Sequence, residues 1–172
     1  MTAWILAALC ITEPAAATTF TPTASVAYSA PLVEGAGVFG SIPLWVGIAA
    51  KPLQRELSPF VSVGSELEFV PLRGQPVARW VPSMRVGLAL LNDPDDYISQ
   101  LFPLAEVYLL AGVRLPSLLG PASARLGIGL SVPSFLWLQS EIGSLPYGLL
   151  PSMIELVVDV GGPASLRLGY QF

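Results

Sequence analysis

Glu66 and Glu68 are the residues of this chain best spaced for acid–base chemistry. Side chains two apart on a strand share a face, so one carboxyl can hold a proton while its neighbour accepts one. Arginines brought close by would instead neutralise both and leave a structural ion pair, and the chain supplies such arginines. Nucleophilic mechanisms have less to work with. There is no histidine to activate a serine or a water, and the sole lysine, Lys51, stands beside Pro52 and reads as a turn residue. The single cysteine, Cys10, rules out an intrachain disulfide and, without histidine, a zinc site of the usual kind. No catalytic residue, metal or cofactor is expected. Asn92-Asp-Pro-Asp-Asp96 offers carboxylates to calcium, but its residue order is that of an Asx/Pro turn. Gly127, Gly129 and Gly169 lack the strand-to-helix setting of a phosphate loop and read as small residues making room for arginine side chains.

The elements that must position these residues are strands. Apolar residues make up 53% of the 172 positions and charged ones 12%, about half the share usual in a soluble domain. Seventeen prolines and sixteen glycines argue against a helical bundle, and a net charge of −4 argues against a nucleic-acid partner. After residue 18 no uninterrupted apolar run reaches the roughly 18 residues of a spanning helix. Period-two alternation recurs instead, punctuated by turn residues, over 23–32, 37–50, 59–71, 76–91, 102–115, 122–134, 149–161 and 164–172. Eight strands are the number at which a barrel just closes around side chains.

Parity sorts the charges. With even-numbered residues outward in candidate strands one, two, four, six, seven and eight, and odd-numbered ones outward in three and five, every strand charge falls inside. The inward set is Glu66, Glu68, Arg79, Arg85, Glu106, Arg114, Arg125, Glu155, Asp159 and Arg167, five carboxylates and five guanidiniums. A side-chain-filled lumen penalises an unpaired charge by several kcal/mol, so matched numbers are what such an interior requires. A turn near Gly74 sets Glu68 opposite Arg79, and a turn at 161–163 brings Arg167 close to Glu155 and Asp159. Tyr28, Phe69 and Trp80 face outward as an interfacial girdle, together with Tyr170 and Phe172.

Prolines read as brackets, because proline removes a ladder hydrogen bond. Segments between them, such as 60–70, 104–115 and 122–132, match the roughly 9–11 residues a tilted strand needs to cross a bilayer. The second strand is the exception, since Pro43 leaves only 44–50 clean and turns Trp45 inward. Residues 1–12 are apolar but too short to span, and Ala15-Ala-Ala17 follows Pro14. Residues 1–17 therefore read as a signal peptide cleaved after Ala17, although no Lys or Arg precedes the apolar run.

The last stretch alternates Leu166, Leu168, Tyr170 and Phe172 with Ser165, Arg167, Gly169 and Gln171, and stops on the aromatic. Residues 18–172 thereby resemble a small bacterial outer-membrane β-barrel, similar to the OmpA-like transmembrane domain. The resemblance implies an antiparallel up-and-down transmembrane barrel and an outer-membrane location. It further implies contact with lipid and a C-terminal signal, Leu166, Leu168, Tyr170 and Phe172, for the barrel-assembly machinery. Arg167 stands where that signal usually carries glycine. A structural or accessory monomer without catalysis is the expectation. A secreted lipocalin-like barrel around an apolar ligand, which needs the inverse charge placement, and a narrow pore are the alternatives.

Overall fold

The structure, a computed structural model, describes residues 18–32, 40–52, 56–72, 75–91, 103–118, 120–132 and 151–171. They contain β1 (Thr18–Pro31), β2 (Ile42–Pro52), β3 (Leu57–Leu72), β4 (Gln75–Leu90), β5 (Ala105–Arg114), β6 (Ser123–Ser131), β7 (Met153–Asp159) and β8 (Ala164–Gln171). Each strand pairs antiparallel with the next, and β8 pairs with β1, closing an up-and-down barrel of eight strands. The leader read at 1–17, the turn at 92–96, the connections 92–101 and 135–148, and Phe172 lie outside the described residues.

The registers fix the shape of the wall. Partners followed from Phe20 run through Ala50, Val61, Val86, Leu109, Ile128, Leu156 and Leu166, and return to β1 at Ala30, ten residues further along. With a rise of ~3.3 Å per residue and ~4.8 Å between strands, that stagger tilts the strands by about 40° to the barrel axis. Every member of this circuit is apolar and lies on the outward parity. The other exterior positions follow suit, including Ile48, Val63, Val107, Leu126 and Ile154, all at least 43% exposed. Ser65 is a lone hydroxyl among apolar side chains on the outer face of β3, and the Trp80 indole N–H donates to it.

Pro31, Pro103, Pro116, Pro121, Pro151 and Pro163 bracket strands as expected, but other prolines do not. Pro22, Pro43, Pro59 and Pro82 all lie within strands. The stagger explains how. Pro22 is laddered to β2, but the β8 ladder begins only at Ser25. Pro43 is laddered to β3 where the continuous β1 ladder has ended at Leu44. Pro59 and Pro82 likewise lie beyond the last β2 partner, at Val61, and the first β5 partner, at Ser83. Each has one flank without a ladder, where a missing N–H breaks nothing. Strand β1 accordingly starts at Thr18, five residues before the alternation predicts, and β2 carries on through Lys51 to Pro52.

Large interior side chains are seated against glycines. Trp45 is 1% exposed, and a Cβ on Gly47 or Gly64 would stand 2.4 and 2.6 Å from its ring. A Cβ on Gly129 would meet the Tyr108 ring at 2.4 Å, so this glycine makes room for a tyrosine and not for the arginine expected there. Gly127 abuts Val157 and the Leu156 carbonyl, and Gly169 abuts Ala27, so neither makes room for arginine. Phe60, Ala89, Leu91 and Tyr108 form an apolar cluster toward the end of the barrel where β1 begins and β8 ends, the terminal end.

Candidate functional site: an ion-pair network through the lumen

All ten charged residues singled out from the sequence lie on inward-facing positions. Glu66, Glu68, Arg85, Glu106, Arg125, Glu155 and Arg167 are buried, while Arg79, Arg114 and Asp159 are half-buried near the opposite end, the mouth, where β1–β2, β3–β4, β5–β6 and β7–β8 are joined. Alternation on neighbouring staves aims these side chains at a common axis, and tilt spreads them along it.

The network runs nearly the length of the lumen. At the terminal end the Lys51 ammonium contacts Glu106 at 2.9 Å, and the Glu106 carboxylate also accepts from the Gln171 amide and from Ser131. Gln171 accepts in turn from Arg85 at 3.4 Å, linking this group to the middle. There Arg85 bonds Glu155 at 3.0 Å and Ser25 at 3.1 Å, and its guanidinium lies 4.1 Å from the Trp45 ring centroid and 4.9 Å from that of Tyr108. Such stacking holds a poorly hydrated cation in place without any carboxylate. Trp45 is anchored by its own N–H to Ser83 at 2.9 Å, and the Tyr108 hydroxyl donates to Glu155 at 2.8 Å.

Arg167 forms the next link, donating to Glu155 at 3.3 Å and to both oxygens of Glu66 at 2.8 and 2.9 Å. This paired contact joins residues 101 apart in sequence. Arg125 is the hub above it, touching Glu66 at 2.5 Å, Glu68 at 2.9 Å and Asp159 at 2.7 Å. Its planar fork can meet three carboxylates at once, which an ammonium cannot do with the same geometry. At the mouth, Arg79 contacts Glu68 at 3.3 Å and Arg114 contacts Asp159 at 3.2 Å.

This arrangement bears directly on the acid–base pair. Both oxygens of Glu66 accept from guanidiniums, and Glu68 accepts from Ser41 on one oxygen and from Arg79 and Arg125 on the other. A carboxylate so occupied is a poor base and has no proton to give. Among the described residues no three potential metal ligands of the His, Cys, Asp and Glu kind cluster together.

No protein-family model, no curated protein and no solved structure matches this chain.

Two expectations need correction. Lys51 is not in a turn: it lies within β2, 1% exposed, and faces the lumen. The interior cations are therefore not all arginine, and they number six against five carboxylates among the described residues. Parity held the clue, because Lys51 is odd-numbered like Trp45 and Ala49, but Pro52 made the strand look finished. Asp159, set beside Arg167 by the hairpin argument, is engaged by Arg125 and Arg114, whereas Glu155 is paired with Arg167 in register. Ser25 was not singled out and Gln171 was given no role in the network; both are uncharged polar residues on the inward parity.

The remaining residues lie on the outer wall. Tyr28, Phe69 and Trp80 are exposed toward the mouth, and Leu168 and the half-exposed Leu166 and Tyr170 line the outside of β8. Phe20, at 73% exposure, adds an aromatic toward the terminal end that was not anticipated.

Proposed function

We propose that this chain is an outer-membrane β-barrel of structural or accessory role, OmpA-like in architecture, with a lumen filled by its own ion pairs and no catalysis. One observation carries the reading: the strands face apolar side chains outward and turn their charges inward. In water that exterior would be a contiguous apolar surface far beyond what a soluble monomer exposes. In lipid it is what the solvent demands, and closure leaves no strand edge with unsatisfied backbone groups. The monomer would be exported by cleavage of residues 1–17 and inserted by the barrel-assembly machinery through Leu166, Leu168, Tyr170 and Phe172.

A lipocalin-like carrier calls for an apolar cavity, and the charges from Lys51 to Arg79 occupy that space. A narrow pore calls for a continuous water path. Arg167 and Arg125 reach across from β8 and β6 to β3 in the middle of the lumen, so planar-bilayer recordings should show no steady conductance. The test of location is fractionation with gel mobility. The native protein should partition with the outer membrane, require detergent, and migrate differently before and after boiling. A chain that stays monomeric and folded in plain buffer would defeat the proposal.

A further inference from the structure

We infer that the mouth of the barrel is a binding site for a small tetrahedral oxyanion of the phosphate or sulfate class. The inference needs only the barrel and its charge network, and holds whether or not lipid surrounds the wall.

Charge is not balanced evenly along the axis. Lys51 is matched by Glu106, and Arg85 and Arg167 by Glu155 and Glu66. Among the described residues the mouth is left with Arg79, Arg114 and Arg125 against Glu68 and Asp159. The surplus positive charge of the lumen is therefore concentrated at this end. It is also weakly held, because Arg125 takes the short contacts to both carboxylates, leaving Arg79 and Arg114 one longer contact each.

Space and donors coincide with the surplus. A cavity of about 190 Å³ opens at the mouth, lined by Arg79, Arg114, Arg125 and Arg167 with Glu68 and Asp159. Four guanidiniums face two carboxylates across it. The Nε atoms of Arg79 and of the almost fully buried Arg167 have no hydrogen-bond partner among the described residues. Buried donors without acceptors are rare in folded proteins and mark places where a bound ion or water completes the structure. Guanidinium forks match the geometry of tetrahedral oxyanions, and a dianion supplies both the missing acceptors and the missing negative charge. A water's share of liquid volume is ~30 Å³, so the cavity accommodates such an anion with a few waters. Depth favours a free anion over a lipid headgroup, since Arg125 and Arg167 are 2% exposed whereas Arg79 and Arg114, at 14% and 18%, form the rim.

The experiment is a calorimetric titration of the full folded chain with inorganic phosphate and with sulfate, at constant ionic strength held by chloride. Saturable binding of about one anion per chain is expected, with no saturable heat from chloride. In Arg79→Gln/Arg114→Gln the affinity should fall at least tenfold. Arg79→Lys, which keeps the charge and loses the fork, should weaken binding less than Arg79→Gln. Ser65→Ala, on the outer wall, should leave it unchanged. Absence of saturable binding to the wild-type chain would overturn the inference regardless of how the variants fold. So would unaltered binding in the double variant. Binding to vesicles containing phosphatidic acid but not to free phosphate would overturn it too.

Discussion

The middle of the lumen and its mouth use the same residue types to opposite effect. In the middle, Glu66 and Arg167 are 1% and 2% exposed and grip one another through two contacts. At the mouth, Arg114 and Asp159 are 18% and 13% exposed and share a single contact of 3.2 Å. Water reaches the second pair and screens it, whereas losing one member of the first leaves the other's buried charge only partly compensated, by Arg125 or by Glu155. Burial, and not residue type, decides whether an arginine here is a structural rivet or a hand held out to a ligand.

The sharpest way to break that comparison is Glu66→Ala, which takes one carboxylate from both Arg125 and Arg167. A loss of about 3–5 kcal/mol is expected in urea unfolding, because two buried guanidiniums lose their shared carboxylate in a site that water does not reach. Next in size is Leu109→Arg, which places a charge on the outer circuit. If the wall faces lipid, folding into bilayers should be weakened by about 2–4 kcal/mol, while a solvated wall would tolerate the change. Tyr108→Phe removes only the hydroxyl that donates to Glu155, and should cost about 1–2 kcal/mol by the same unfolding measurement. Arg114→Gln should cost no more than about 1 kcal/mol, and raised salt should shrink that difference further. A cost for Arg114→Gln equal to that for Glu66→Ala would erase the distinction between middle and mouth.

Alternation made the barrel legible from the sequence, because a strand with one apolar and one charged face records its orientation in parity alone. Leu126, Ile128 and Leu130 against Arg125 and Ser131 are readable without any partner. Local hairpin pairs were legible for the same reason, since Glu68 opposite Arg79 depends on one turn. The long contacts were not. Arg167 meets Glu66 only after the stagger of the whole circuit has accumulated, and no single turn encodes that sum. Lys51 and the strand prolines were misread for a related reason. Proline is a breaker only where both flanks are laddered, and where a ladder ends is a property of the closed barrel. The seats for Trp45 and Tyr108 were hidden because Gly64 and Gly129 belong to neighbouring strands.

The account stands on the medium outside the wall. In a Cys10→Ser background, Leu109→Cys carrying an environment-sensitive fluorophore reports on that medium directly once the protein is folded into liposomes. Blue-shifted emission, quenched by brominated acyl chains and indifferent to iodide, is the predicted result. Water-like emission quenched by iodide would contradict it.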